Sequence, residues 1–439
     1  MSPRTATIAH TASDERDGRP SQKWRRSVTE SIRVNDRWYR LPARPTVVVC
    51  IDGFDPAYLE HGISSGTLPT FERLQAQGFV AIADAVVPTF TNPNNTSIVT
   101  GAPPVVHGIS GNYYLDRETG REVMVTDAHL LRCDTVLGLM SQAGVKTAAV
   151  TAKDKLRKML GYNLKGISFS SQLADECTLE ENGIADVEAL VGRPKPDMYS
   201  PDLSLFVLDA GIRLIERGDA QLLYLSLSDL IQHAHAPGER ESDEFHQDID
   251  RRIGRMIDLG AVVGVTADHG MNDKAAANGT PNLIFLEDEL NARFGDGAVR
   301  VICPIADPFV RHHGALGSFV RVYDKKGLGV GKLMEATARL PGIELVLDGP
   351  SAAARFELPL DREADFIAIA ERSTTIGARS AEHDLSTISS HRLRSHGGIS
   401  EQLVPFIVST KLNPEYSAIA ESRRLRNFDI FDFVLNGAI

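Results

Sequence analysis

Cysteine is scarce in this 439-residue chain. Its four cysteines, Cys50, Cys133, Cys177 and Cys303, stand far apart and form no CxxC pair. That spacing argues against a disulfide framework and against a thiolate zinc site, and it fits a reducing cytoplasm. Aromatic residues make up only 6%, little material for an aromatic-lined pocket. Positive charge is in deficit: the formal net charge is -11. Such a balance argues against wrapping nucleic acid or docking on anionic lipid, yet it leaves room for a local basic pocket that takes a small anion. No stretch approaches the roughly 18 apolar residues of a membrane span. The N-terminus has no apolar signal-peptide core. The expectation is a cytoplasmic protein with neither a nucleic-acid nor a membrane partner.

What the chain does have is material for a core. Hydrophobic residues are 42% and charged residues 24%, the balance of a folded protein. The length suits one large α/β domain with an inserted lobe. Residues 1–31 are polar and carry Asp14-Glu15-Arg16-Asp17-Gly18-Arg19-Pro20, so they read as a disordered extension. A hairpin is predicted from Ile32 to Arg40, turning at Asn35-Asp36. Residues 46–51, Thr-Val-Val-Val-Cys-Ile, form a continuous apolar run suited to a strand buried on both faces of a parallel sheet. Similar runs follow at 80–87, 146–150, 222–227 and 261–266. Helical patterns at 135–143, 201–217 and 243–258 lie between them. This alternation predicts a doubly wound, mostly parallel α/β sheet. It weakens after about Asn272. The catalytic core is therefore expected over 32–272 and 390–439. Residues 273–389 are expected to form a smaller inserted cap lobe, with a strand at 319–323 and a helix at 332–339. A last strand at 403–408 and a helix at 429–435 return to the main sheet.

In open α/β sheets, ligands gather beyond the carboxyl ends of the strands. Asp52 follows the first run, Asp229 lies just past the 222–227 run, and Asp268-His269 follows the 261–266 run. His233, four residues after Asp229, shares a helical face with it. His396 sits in the Ser395-His396-Gly397-Gly398 turn before the final strand, with His235 and His391 as nearby alternatives. Each residue alone has a plainer role, as a turn, a cap or a solvated side chain. Their combination in chain order points to Asp and His ligands for two zinc ions, with manganese or iron as substitutes. The segment Pro88-Thr89-Phe90-Thr91-Asn92-Pro93-Asn94-Asn95 precedes a short helix. Thr91 or Asn92 suits its cap, where the helix dipole favours an alkoxide and phosphoryl oxygens.

Taken as an ordered set, these motifs carry a resemblance. Asp52-Gly53, Thr91-Asn92-Pro93-Asn94, Thr100-Gly101, His107-Gly108, Asp229 with His233, Asp268-His269-Gly270-Met271 and His396-Gly397 resemble the nucleotide pyrophosphatase/phosphodiesterase branch of the alkaline-phosphatase superfamily. The likeness spans about Val47 to Val408. Three further runs, Asn112-Tyr113-Tyr114, Thr151-Ala152-Lys153-Asp154-Lys155 and Arg311-His312-His313-Gly314-Ala315-Leu316-Gly317, look like the phosphonoacetate hydrolase family within that branch. The resemblance implies an alkaline-phosphatase-type fold and a small anionic phosphonate as substrate. It implies one metal held by Asp52, Thr91, Asp268 and His269, and another by Asp229, His233 and His396. It implies Thr91 as nucleophile in cleaving phosphonoacetate to acetate and phosphate. The oligomeric state stays open, a homodimer included.

Breaking a carbon–phosphorus bond makes a poor leaving group unless the neighbouring carboxylate spreads the charge. Cations near that carboxylate stabilise charge as it develops. Lys153 and Lys155 follow a strand at the ligand edge, and alternation along an extended chain would point both the same way. Arg311 and His312 would close over the same group from the insert, and Asn112 would donate to a phosphoryl oxygen. Two other readings compete. One is a phosphodiesterase on the same metals. The other is a metal-stabilised binding protein, which predicts that Thr91 or a ligand is missing; none is.

Overall fold

The computed structural model describes residues 30–125, 128–305, 316–383, 385 and 392–439. The expected N-terminal extension falls almost wholly on residues 1–29, outside that set, and Arg311, His312 and His391 lie outside it too. The first element is a hairpin of Ser31–Val34 and Arg37–Arg40, with Ile32 opposite Tyr39. Asn35 and Asp36 both have positive φ, 46° and 71°, the backbone of a type I′ turn, which Asn and Asp tolerate.

An eight-stranded sheet dominates the fold. Its spatial order is Leu425–Arg426, Phe79–Asp84, Leu403–Val408, Val262–Thr266, Thr46–Cys50, Leu222–Ser226, Thr147–Thr151 and Ile167–Ser170. The five strands from Val262–Thr266 to Ile167–Ser170 are parallel. Leu403–Val408 runs against both of its neighbours. The sheet is mixed and mostly parallel, as the run-and-helix alternation predicts. The central strands are fully buried because helices cover both faces. Removing a Val or Leu side chain from water contributes roughly 1.5–3 kcal/mol each.

Helices on the faces show why they sit there. Asp202–Arg217 buries Leu203, Phe206, Val207, Ala210 and Leu214, spaced three and four apart along one face. It ends at Gly218, whose φ of 68° suits a left-handed cap. Arg240–Asp258 buries Phe245, Ile249, Ile253 and Met256 by the same rule. The expected 429–435 helix is instead a short helix at Ile430–Asp432 that widens into a π turn at Phe433–Gly437. Its residues pack on Gly264, where an added Cβ would stand 2.6 Å from Val434. No helix among the described residues is long and apolar enough to cross a membrane. All four cysteines are free thiols.

A second, antiparallel sheet of four strands comprises Val299–Ile302, Phe319–Asp324, Phe366–Ala370 and Ile343–Asp348. It has its own apolar cluster, including Leu286, Leu290, Val301, Val320, Val322 and Phe366. Arg321 and Glu363 form an ion pair there with no exposed side-chain surface. The Arg321 Nη2 also donates to the Ser110 carbonyl at 3.2 Å and hydroxyl at 3.1 Å, tying this sheet to the loop before Asn112.

Candidate active site

Four parallel strands end at one edge of the main sheet, and each delivers a chemical group just beyond its last residue. Thr46–Cys50 leads to Asp52, Val262–Thr266 to Asp268 and His269, Leu222–Ser226 to Asp229, and Thr147–Thr151 to Lys153. Phe79–Asp84 leads through a buried loop to Thr91. Leu403–Val408 runs the other way, so its entering chain arrives at the same edge and carries His396. His233 lies one turn into the Leu230–Ala234 helix, facing Asp229 at 2.8 Å between Nε2 and Oδ2.

The three histidines share a local design. His269 Nδ1 lies 2.9 Å from the Gly270 carbonyl, His233 Nδ1 2.9 Å from the Arg394 carbonyl, and His396 Nδ1 2.7 Å from the Thr89 carbonyl. A carbonyl only accepts, so each Nδ1 carries the proton and donates it. Each Nε2 is thereby turned toward the acids. His269 Nε2 is 3.1 Å from Asp52 Oδ1 and 3.8 Å from Asp268 Oδ2; His396 Nε2 is 3.9 Å from Asp229 Oδ2. The His269 and His396 rings stack, 3.5 Å apart and 6° from parallel.

The ligand atoms of Asp229, His233 and His396 all lie within 4.8 Å of one another, and so do those of Asp52, Asp229 and His269. Asp229 is common to both sets. Asp268 stands outside both sets, and its oxygens accept hydrogen bonds from the protein. Gly53 N and His269 N donate to Oδ1 at 3.2 and 3.1 Å, and Asn95 Nδ2 donates to Oδ2 at 3.1 Å.

The buried groups of this cluster shift one another's ionisation strongly. Burial, with the charges of Asp229 and Asp268, pushes the Asp52 carboxyl well up. Asp229 is held well below the usual carboxylate range: burial opposes this, but His233, Lys153 and His396 outweigh it. His269 is pushed up to about 10, against its burial, by Asp268 and Asp52. His396 is pushed well down by burial and by the other two histidines. Asp52 Oδ1 is buried and receives no hydrogen bond among the described residues, despite its contact with His269. Buried oxygen and imidazole donors converge, their outer nitrogens are anchored to the backbone, and one oxygen is orphaned. This arrangement fits divalent cations of the zinc type.

Thr91 opens the helix Thr91–Thr100. The expectation that Thr91 or Asn92 caps this helix does not hold. The cap position is Phe90, and no side chain bonds there. The Thr91 hydroxyl is therefore free of capping and lies 3.5 Å from His269 Nε2. Asn95, one turn on, is a group that sequence reasoning left without a role. Its Nδ2 donates both to the Thr91 carbonyl and to Asp268, each at 3.1 Å, and its Oδ1 accepts from Tyr224 and Ser226 hydroxyls at 2.7 and 2.9 Å. The i,i+4 spacing from Thr91 was the available signal.

Lys153 is exposed and immediately precedes the helix Asp154–Leu160, close enough to lower the Asp229 pKa. Lys155 is inside that helix, so strand-like alternation does not govern where it points. Asn112 donates to the Ile305 carbonyl at 3.2 Å, and its own Oδ1 is buried with no hydrogen-bond partner among the described residues. Its carbonyl accepts from Val125 N, and the Val125 carbonyl accepts from Asn92 next to Thr91.

The profile of the family "Type I phosphodiesterase / nucleotide pyrophosphatase" matches residues 46–397. Crystal structures of phosphonoacetate hydrolase from Sinorhizobium meliloti, in complex with phosphonoformate and with phosphonoacetate, are 43% identical in sequence with a TM-score of 0.89. That likeness covers 93% of this chain and 99% of theirs. A phosphonoacetate hydrolase from Penicillium oxalicum is 50% identical over 46 residues, 10% of this chain and 64% of that sequence. An uncharacterized pyrophosphatase/phosphodiesterase from Schizosaccharomyces pombe is 24% identical over 257 residues, 56% of this chain. The match spans only 47% of that longer protein.

Proposed function

The chain belongs to the type I phosphodiesterase/nucleotide pyrophosphatase family, on its phosphonoacetate hydrolase branch, and from that membership we propose that it hydrolyses phosphonoacetate to acetate and phosphate, with Thr91 as nucleophile and two zinc ions. The observation that carries the reading is the likeness, nearly end to end, to an enzyme crystallised with phosphonoacetate. The Thr91 hydroxyl, which caps no helix and lies 3.5 Å from His269 Nε2, supports the choice of nucleophile.

One zinc ion is assigned to Asp52, Thr91, Asp268 and His269 and the other to Asp229, His233 and His396, and together they would supply the Lewis acidity that makes a hydroxyl nucleophilic near neutral pH and offsets phosphonate charge. The residues themselves do the positioning. The amide of Asn95 holds the Thr91 carbonyl against Asp268, so the hydroxyl keeps its place at the helix start. Thr91 Oγ forms a bond to phosphorus as the carbon–phosphorus bond breaks in line. The Thr91 hydroxyl gives up its proton in the same step, the bonding pair leaves with the carbon, and the carbon takes up one proton in balance to become the methyl group of acetate. Water then displaces Thr91 from phosphorus, releasing phosphate and restoring the hydroxyl. Asn112 is assigned a phosphoryl oxygen. Lys153 is assigned the substrate carboxylate, where its charge favours the transition state more than the ground state. Lys155, Arg311 and His312 complete that assignment.

A second reading, phosphodiester hydrolysis on the same residues, has the family profile behind it. The two separate in a comparison of kcat/KM for phosphonoacetate and for a bis-nitrophenyl phosphodiester. Preference for phosphonoacetate is expected; preference for the diester would move the function to the second reading.

A further inference from the structure

The nucleophile loop and the His396 turn are locked together at one residue that the proposed chemistry does not use. Thr89 is fully buried, two residues before Thr91. Its hydroxyl donates to the Gly398 carbonyl at 2.9 Å and accepts from Gly397 N at 3.0 Å. Its backbone N donates to the Gly397 carbonyl at 3.3 Å, and its own carbonyl takes the His396 Nδ1 proton at 2.7 Å. Every polar atom of Thr89 thus bonds within residues 396–398, more than three hundred positions away in sequence.

Phe90 closes the same joint. Its ring meets the His396 ring edge-on, with centroids 5.8 Å apart. Gly397 has a φ of 120°, and an added Cβ would stand 2.4 Å from Phe90 Cε1. The turn therefore accepts only glycine, because the ring of the nucleophile loop fills the space a side chain needs. On its far side, Gly398 N donates to Glu401 Oε2 at 3.0 Å.

We propose that Thr89 is a positioning residue that couples His396, a zinc ligand in the function proposed above, to the placement of the Thr91 hydroxyl. The inference rests on that reading for the role of His396 and Thr91. Loosening the joint moves both together: the imidazole loses its orientation and the nucleophile loses its register. Groups that orient a ligand in this way are generally worth about 10–100-fold in metal affinity or activity.

The test uses Thr89→Val, which keeps the shape and removes the hydroxyl, and Thr89→Ser, which keeps the hydroxyl. Zinc release from each holoenzyme into a competing chelator is measured beside kcat and KM. In Thr89→Val the weaker-held zinc is expected to leave about 10–100-fold more readily, and kcat to fall by a similar factor with KM within about threefold. Thr89→Ser is expected to stay within about threefold of the parent in both. Zinc retention and kcat unchanged in Thr89→Val would overturn the proposal, as would equal damage in both variants. Should Thr89→Val not fold, Thr89→Ala removes the hydroxyl without placing a methyl group against the Gly398 carbonyl. Easier zinc loss there supports the joint, and parent-like zinc retention overturns it. If the parent releases no phosphate from phosphonoacetate, the substrate reading fails while the zinc-release comparison still decides the role of Thr89.

Discussion

Acidifying the buffer from pH 7 to pH 5 charges His107 in the unfolded chain but not in the folded one. His107 is fully buried. Its Nδ1 accepts from Ile109 N at 3.1 Å, so the proton sits on Nε2, which donates to the Ser97 hydroxyl at 2.8 Å. Ser97 belongs to the helix that Thr91 opens. Burial, with the Arg362 charge adding to it, pushes the imidazole down from 6.5 to about 3. A charged ring would lose its acceptor for Ile109. Because the folded value is depressed, the unfolded chain binds the extra proton. The stability contribution is whole above the unfolded value of 6.5 and is lost as pH falls toward the folded one. Between pH 7 and pH 5 the loss is ~2 kcal/mol, since pH 5 lies well above the folded value. His107→Gln cannot take up this proton. Urea unfolding of parent and variant, in excess chelator so that metal release plays no part, isolates the effect. His246, pushed down to about 4 by burial, acts in the same direction but is common to both proteins. The stability gap between them should narrow by ~2 kcal/mol from pH 7 to pH 5. A gap that stays constant would refute the reasoning.

Lys153→Ala should lower kcat on phosphonoacetate by about 100-fold and on a nitrophenyl phosphodiester by less than about threefold, because only the first carries a carboxylate; equal losses would remove Lys153 from that role. Asp229→Asn should release zinc from the Asp229–His233–His396 set first, where its carboxylate is 2.8 Å from His233, and metal analysis showing unchanged zinc would break the ligand assignment. Arg321→Met strands Glu363 as a buried charge and should cost roughly 3–5 kcal/mol in denaturant unfolding; a loss below about 1 kcal/mol would mean the pair is solvated.

Much of the main sheet was legible because buried parallel strands must read as apolar runs whichever helix follows them. The stretch at 46–51 is such a run, and Asp52 stands just past the carboxyl end of its strand. The hairpin was legible because Asn35 and Asp36 tolerate positive φ. Strand direction was not. Apolar alternation reads the same in both senses, so the reversed Leu403–Val408 strand, which brings His396 to the ligand edge, emerges only from its pairing. Helix onset misled twice. Thr91 is the first helical residue and not the cap, and Lys155 lies within a helix where an extended chain was expected. Asn95 and Thr89 were hidden for a different reason. Their partners are Asp268 and residues 396–398, far off in sequence, and a single amide or hydroxyl carries no pattern of its own.

The most direct test of the account is the release of phosphate and acetate from phosphonoacetate by the zinc-loaded protein, beside a chelated control and Thr91→Ala. The account predicts equal amounts of both products from the loaded protein and neither from the two controls. Full product release by Thr91→Ala, or none from the loaded parent, would contradict it.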